Sequence, residues 1–126
     1  MATDSLVRLG SIVLDCPDPA ALAGFYAKLL GWPETGIKAN SDWVTLTNPD
    51  GGLTIDFQQA DDYQAPTWPD PARPQMFHFD LTVSDMSTAA EHAVGIGARP
   101  LDLSDEHPTF QVYADPAGHP FCLCAG

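Results

Sequence analysis

An internal duplication constrains the fold of this chain more than any other sequence feature. Displacing the sequence by 67 positions aligns its two halves without a gap as far as the turn near the end of each half. The aligned identities are Leu14 with Leu81, Asp18 with Asp85, Ala23 with Ala90, Pro33 with Pro100, Pro49 with Pro116 and Gly51 with Gly118. Self-similarity of this kind predicts two copies of one supersecondary unit.

The first half has the pattern of a strand followed by a helix. Apolar residues alternate with other residues from Ser11 to Cys16, which is the period of a strand. Asp18 then offers a helix N-cap and Pro19 a first-turn proline. Gly31 and Pro33 are typical of a helix end. The apolar stripe of this helix consists of Leu22, Phe25, Tyr26 and Leu29, spaced i, i+3, i+4 and i+7.

The second half repeats this order. Alternation runs from Phe77 to Val83, Asp85 offers a cap, and Gly97 closes the helix. Further strands are predicted at Gly36–Ala39, Trp43–Thr47, Leu53–Gln58, Pro100–Leu103, Phe110–Ala114 and Pro120–Cys124. The predicted fold class is therefore α+β, with two tandem βαβββ modules whose mixed sheets curl around a shared cavity and whose helices cover the outer face. Within a single domain spanning residues 1–126, module one covers about 7–59, a proline-rich connection 60–75, and module two about 76–125.

Charge and cysteine content exclude several classes of function. The chain carries 17 acidic and 5 basic residues, a net charge of −12, which disfavours nucleic acid and anionic membranes as partners and attracts cations. Three cysteines without a CxxC pair argue against a disulfide scaffold or a zinc ribbon. The N-terminus lacks the pattern of a signal peptide, and no apolar run is long enough to span a bilayer. We therefore expect a cytoplasmic protein.

Strand alternation also predicts which side chains face the cavity. The candidate ligand-binding residues, including one from the connection, are Ser11, Trp43, Asp56, Gln58, Trp68, His78, Asp80, Phe110 and Cys122. Apolar walls with a few polar groups are typical of small-molecule sites, although a solvated sheet face has a similar composition. His78 and Asp56 are the catalytic candidates, with His78 as the acid/base group. The alternative for His78 is a half-buried ring bonded to Asp80. His92, His107 and His119 are expected at the surface.

Several motifs resemble those of a known superfamily. The first helix opens with Asp-Pro-Ala-Ala-Leu-Ala-Gly-Phe-Tyr at 18–26 and ends with Leu-Leu-Gly-Trp at 29–32. His-Phe-Asp-Leu at 78–81, Gly-Ala-Arg at 97–99 and Asp-Pro-Ala-Gly at 115–118 follow. Over about residues 9–124 the chain resembles the vicinal-oxygen-chelate superfamily of glyoxalase I, bleomycin-resistance proteins and extradiol dioxygenases, and its actinobacterial glyoxalase-like members above all. The resemblance implies the fold without fixing an activity.

The resemblance also implies where a metal ion would bind. Metal-dependent members chelate one divalent ion at positions that correspond to Ser11, Asp56, His78 and Cys122. Serine is a poor ligand for such an ion, and a thiol favours zinc over harder metals. We therefore expect no metal cofactor, and if a divalent metal does bind, we expect zinc held by Asp56, His78 and Cys122.

The leading functional hypothesis is a metal-independent protein that sequesters or processes a small organic molecule. An acidic surface suits a cationic ligand, and Trp43, Trp68 and Phe110 offer flat faces for an aromatic one. The resemblance further implies a homodimer. The alternatives are a metal-dependent lyase, isomerase or dioxygenase of the same superfamily, and a non-catalytic interaction module.

Overall fold

The computed structural model describes residue 6, residues 8–40 and residues 42–126. The predicted start of module one at residue 7 lies outside this range. The chain divides into two compact units, Met1–Ala60 and Asp61–Gly126. Each unit is described by itself below, and a cavity shared by both stays a prediction.

The first unit contains the predicted βαβββ order. Its elements are β1 (Ser11–Cys16), α1 (Pro19–Leu30), a 3-10 turn (Glu34–Gly36), β2 (Ile37–Asn40), β3 (Trp43–Leu46) and β4 (Thr54–Gln59). The strands form a four-stranded mixed sheet in the order β1-β4-β3-β2, in which β1 and β4 are parallel and the other pairs are antiparallel. On α1, Tyr26 is buried and stacks against Phe57 of β4, so the predicted apolar stripe covers one face of this sheet.

The second unit repeats the architecture. Its elements are β5 (Phe79–Val83), α2 (Met86–Gly95), β6 (Arg99–Asp102), β7 (Phe110–Ala114) and β8 (Pro120–Ala125). The sheet order β5-β8-β7-β6, with β5 and β8 parallel, matches that of the first unit. The connection belongs to this unit, since the Tyr63 hydroxyl donates to the Ala117 carbonyl oxygen at 2.9 Å. The predicted α+β fold of two tandem modules is thereby confirmed.

Both predicted helix starts are confirmed by their caps. Asp18 accepts a hydrogen bond from the Ala21 amide at 3.1 Å, and Asp85 accepts one from the Thr88 hydroxyl at 2.8 Å. The side-chain hydrogen bond from Thr88 lowers the pKa of Asp85. Helix α1 ends at Gly31, whose φ of 69° suits a glycine. Neither helix of the described residues has the length and apolar character needed to traverse a bilayer.

Strand register locates a one-residue gap in the alignment of the two modules. Thr45 of β3 pairs with Asp56 of β4, and Val112 of β7 pairs with Cys122 of β8. Val112 lies 67 residues after Thr45, whereas Cys122 lies 66 residues after Asp56. The second module therefore has one residue fewer between its last two strands, and Asp56 and Cys122 occupy equivalent positions.

Candidate functional site

A cleft of about 320 Å³ lies within the second unit. It is lined by Trp68, Gln75, His78, Asp80, Phe110, Val112, Pro120, Cys122 and Cys124. Trp68 comes from the connection, His78 directly precedes β5, and the strand residues share one face because alternate residues of a strand point the same way. The structure thus brings five of the predicted ligand-binding residues together: Trp68, His78, Asp80, Phe110 and Cys122.

A histidine–aspartate pair forms the polar part of the cleft. The Nε2 atom of His78 lies 3.0 Å from Oδ1 of Asp80, and the side chains are 38% and 66% exposed. A carboxylate oxygen accepts the Nε2 hydrogen whether the ring is neutral or charged, which leaves Nδ1 as the atom that can exchange a proton. The predicted contact between His78 and Asp80 is therefore present, and both side chains remain accessible to a ligand.

Cys122 adds a protonated thiol beside this pair. It lies opposite Asp80 in the parallel register of β5 and β8. Burial, followed by the negative charge of Asp80, raises the pKa of the Cys122 thiol to about 11. At neutral pH the thiol therefore keeps its proton, which makes it a weak hydrogen-bond donor rather than a nucleophile.

The Phe110 wall of the cleft is held by a histidine that the sequence patterns placed at the surface. The His107 and Phe110 rings stack with centroids 4.1 Å apart. His107 Nδ1 lies 2.8 Å from the Phe110 carbonyl oxygen, and its buried Nε2 lies 3.0 Å from Oδ2 of Asp102. Both nitrogens face acceptors only, which favours the charged ring. The Asp102 carboxylate, and then the Phe110 carbonyl, raise the pKa of His107.

The remaining predicted residues belong to the first unit, where Asp56 forms a cluster of its own. Asp56 is 7% exposed and accepts three hydrogen bonds: from Trp43 Nε1 at 2.7 Å, from the Thr45 hydroxyl at 3.1 Å and from the Thr54 hydroxyl at 2.7 Å. Buried carboxylates are stable where such donors surround them. Asp56 is therefore engaged by neutral donors of its own module. Of the other two predicted residues here, Ser11 begins β1 and Gln58 lies opposite Trp43 in the sheet.

Four cleft residues are not among the predicted ligand-binding residues: Gln75, Val112, Pro120 and Cys124, of which strand alternation places only Cys124 on the cavity face. Three of the four could be found from the duplication, because they are equivalent to residues of the first unit. Val112, Pro120 and Cys124 occupy the positions of Thr45, Thr54 and Gln58 in the first unit, once the one-residue difference is allowed for. Gln75 lies in the proline-rich connection and has no counterpart there.

The four positions at which the resemblance places metal ligands do not supply an octahedral set of hard donors. Ser11 offers a hydroxyl, and the Asp56 oxygens already accept three hydrogen bonds. Within the second unit, however, one ligand atom each of His78, Asp80 and Cys122 lie within 4.8 Å of one another. Nitrogen, oxygen and sulfur donors in such a group fit zinc. Asp80, rather than Asp56, is the carboxylate of this cluster.

Comparison with known proteins places the fold. The family model of a glyoxalase-like domain matches residues 11–124. A glyoxalase-related enzyme from Fulvimarina pelagi is similar in structure, with a TM-score of 0.69 and 18% identity over 96% of this chain and 89% of that chain. A glyoxalase/bleomycin resistance protein/dioxygenase family enzyme from Burkholderia phytofirmans PsJN has a TM-score of 0.69 and 14% identity over 94% and 98%. The oxidase ChaP-H2 has a TM-score of 0.59 and 16% identity over 97% and 95%. No curated protein matches the sequence.

At identities of 14–18%, the likeness to solved structures establishes the fold and not the activity. The family model, by contrast, spans both modules and nearly the whole sequence. The predicted resemblance to the vicinal-oxygen-chelate superfamily is confirmed by these matches. The chain belongs to the glyoxalase-like domain family.

Proposed function

We propose that the second module binds a small, flat, cationic organic molecule in its cleft. The observation that carries this proposal is the combination of aromatic walls, Trp68 and Phe110, with the accessible His78–Asp80 pair. A volume of about 320 Å³ falls within the roughly 300–1,000 Å³ typical of small-molecule sites. A single ring, or two fused rings, suits a cleft at the lower end of that range.

The shape of the walls favours a planar ligand. Trp68 and Phe110 both line the cleft, and aromatic rings attract flat rings and cations. One face of the Phe110 ring is covered by the stacked His107. A pre-positioned wall lowers the entropy lost on binding, because fewer side chains must be ordered when the ligand enters.

The charge of the cleft favours a cation. Asp80 brings a carboxylate to the cleft, and no lysine or arginine is among the residues that line it. The net charge of −12 adds a long-range attraction for cations. A ligand with an amidinium, guanidinium or ammonium group would therefore donate a charge-assisted hydrogen bond to Asp80.

His78 gives the cleft an acid–base group. Its Nε2 faces Asp80, so Nδ1 can accept or donate a proton. A ring held by a carboxylate in this manner is a common arrangement for proton transfer, and it also suits simple hydrogen bonding to a ligand. Binding comes first in either case, so the decisive experiment measures binding.

Benzamidine, a flat monocation, tests the proposal when its dissociation constant is measured by isothermal titration calorimetry. We expect saturable binding with a dissociation constant in the millimolar range or below, as for other fragments of this size. Replacing Asp80→Asn should weaken binding about tenfold, because the ligand loses a charge-assisted hydrogen bond. Phe110→Ala should weaken it by a similar factor through loss of a ring contact.

A matched control separates the local charge from the overall charge. Glu91→Gln removes one negative charge from the exposed side of α2, outside the cleft. It should leave the affinity for benzamidine nearly unchanged, and benzamide, which lacks the charge, should bind more weakly than benzamidine. Equal effects of Asp80→Asn and Glu91→Gln would contradict a specific role of the cleft.

A metal-dependent lyase, isomerase or dioxygenase is the second candidate, favoured by the close grouping of His78, Asp80 and Cys122. These three residues would hold the zinc ion, which would supply Lewis-acid polarisation of a substrate oxygen. Metal content after purification without chelators tests this candidate. One zinc per chain in the parent protein, lost in both His78→Asn and Cys122→Ser, would support it. Zinc that persists in both variants, or no zinc after incubation with the ion, would contradict it.

The homodimer and the cytoplasmic location remain proposals that follow from the resemblance and the composition. Multi-angle light scattering on the purified chain tests the first. A mass equal to twice 13.5 kDa is expected, and a mass of one chain at micromolar concentration would contradict it.

A further inference from the structure

Trp68 also lines a second hollow, of about 350 Å³, within the same unit. This hollow, called the Arg99 hollow below, is lined by Pro66, Thr67, Trp68, Asp70, Arg99, Leu101, Ala114 and Gly118. Apart from Trp68, it shares no residue with the cleft. Its walls are polar and apolar in similar measure, and a single guanidinium lies among them.

Arg99 is unusual in its surroundings. The second unit contains ten aspartate and glutamate residues but only two arginines and no lysine. Arg73, the other arginine, donates from Nε to the Ala65 carbonyl oxygen at 2.9 Å and so holds the connection in place. The side chain of Arg99 has no hydrogen bond or ion pair with any residue that the structure describes. A guanidinium that leaves its five donors unused in an acidic module is available for an external anion.

Strand β6 contributes Arg99 and an apolar side chain to the hollow. Arg99 lies on β6, the edge strand of its sheet, and pairs with Ala114. The register shifts between Pro100 and Asp102, which is the mark of a bulge. Bulges re-aim side chains near their position. Both Arg99 and Leu101 line the hollow.

The opposite wall is fixed by its own hydrogen bonds. The Thr67 amide donates to the Arg73 carbonyl oxygen at 2.7 Å, and the Arg73 amide donates to the Thr67 hydroxyl at 2.9 Å. Gly118 lets the connection approach closely, since a Cβ atom there would lie 2.6 Å from Cβ of Ala65. The loop that carries Trp68 is therefore anchored on both sides, and the hollow exists before a ligand arrives.

We propose that the Arg99 hollow is a second binding site, which takes an aromatic monocarboxylate. The guanidinium of Arg99 matches a carboxylate with two parallel hydrogen bonds. The indole of Trp68 and the side chain of Leu101 pack against the ring. The carboxylate of Asp70 on the same rim repels a second negative charge, which selects monoanions over dianions.

Benzoate tests this proposal in the intact chain. Its dissociation constant, measured by calorimetry, is expected in the millimolar range. Arg99→Gln should weaken binding at least tenfold. Arg99→Lys should have an intermediate effect, because an ammonium keeps the charge but cannot donate two parallel hydrogen bonds to a carboxylate. Lys38→Gln removes a positive charge from the exposed part of β2 in the first unit and should leave benzoate binding unchanged.

Three outcomes would overturn the proposal. They are the absence of saturable benzoate binding, an equal loss in Arg99→Gln and Lys38→Gln, and phthalate, a dianion, binding more tightly than benzoate. Thermal melting of Arg99→Gln confirms that the variant is folded, as its exposed position on an edge strand predicts. Benzamidine binding to the cleft is measured separately with Asp80→Asn, so failure of one site does not imply failure of the other.

Discussion

The two modules place different side chains on the same strand framework. The cluster in module one consists of Asp56 with Trp43, Thr45 and Thr54. The equivalent positions in module two hold Cys122 with Phe110, Val112 and Pro120. Every hydrogen-bond donor around the carboxylate has been replaced by an apolar group around the thiol.

This difference shows how one duplicated backbone supports two roles. In module one the carboxylate and its donors satisfy one another, so the cluster contributes to stability. In module two the equivalent residues form the wall of a cleft, and the polar groups are Asp80 on the neighbouring strand β5 and His78 directly before it. The duplication thus has a hydrogen-bonded carboxylate at one position and the wall of an open cleft at the equivalent position.

The largest expected effect comes from removing the carboxylate of module one. Asp56→Ala leaves three half-buried donors without their acceptor and should lower the free energy of unfolding by about 3 kcal/mol. Cys122→Ala, at the equivalent position, removes a half-buried thiol and should cost about 1 kcal/mol or less. Urea-induced unfolding of both variants measures the difference.

Asp56→Asn sharpens this comparison, because it keeps the shape of the side chain but removes its charge. The free energy of unfolding of Asp56→Asn should lie between that of Asp56→Ala and that of the parent chain. Similar losses in Asp56→Ala and Cys122→Ala would contradict the distinction between the two positions.

A smaller difference is expected at the equivalent glycines, Gly51 and Gly118. Both have positive φ, 82° and 94°, so alanine is strained at either position. At Gly51 an added Cβ meets no atom within 4 Å, whereas at Gly118 it meets Ala65 at 2.6 Å. Gly51→Ala should therefore cost about 1 kcal/mol and Gly118→Ala about 2 kcal/mol or more. Equal melting temperatures for the two variants would show that the connection does not pack against Gly118.

Sequence patterns predicted the features that depend on local chemistry. Asp18 and Asp85 could be recognised as caps because capping needs a short acceptor next to an apolar stripe. Strand alternation placed His78, Asp80 and Cys122 on one face because alternate residues of a strand point the same way. His107 was assigned to the surface because a loop histidine gives no sign of its partner, and the ion pair with Asp102 forms only when the turn folds. The Arg99 hollow lies between an irregular strand and a loop packed against Gly118. Neither feature produces a periodic pattern in the sequence, so neither could be predicted from it.

The contacts of Phe110, the ring equivalent to Trp43, predict that the stability of the chain depends on pH. Trp43 is held by Asp56, whereas Phe110 is held by His107, whose pKa is raised chiefly by Asp102. A raised pKa means that the pair stabilises the fold below the ordinary pKa of histidine and that this contribution is lost as pH rises through the folded value. The pKa of Asp102 is lowered, chiefly by the Ser104 amide and then by His107, so its contribution is lost as pH falls through that lowered value.

Melting temperatures of the parent chain and His107→Gln across pH test this dependence. The melting temperature of the parent chain should exceed that of His107→Gln by the largest amount in mildly acidic solution. This difference should shrink as pH rises past the raised pKa of His107. His92→Gln, on the exposed side of α2, is the control and should show a smaller change with pH. A difference in melting temperature between the parent and His107→Gln that grows toward alkaline pH would contradict the inference that the His107 ring is charged.

The most direct test of the contrast between the modules is the response of the indole N–H signals of the three tryptophans to benzamidine in a ¹H–¹⁵N correlation spectrum. Trp68 lines the cleft, whereas the indole N–H of Trp43 is engaged by Asp56. We expect the Trp68 signal to shift saturably in the parent chain and much less in Asp80→Asn, while the Trp43 signal stays in place. A Trp43 signal that moves as far as that of Trp68, or a Trp68 signal that does not move at saturating benzamidine, would contradict the assignment of the binding site to the second module.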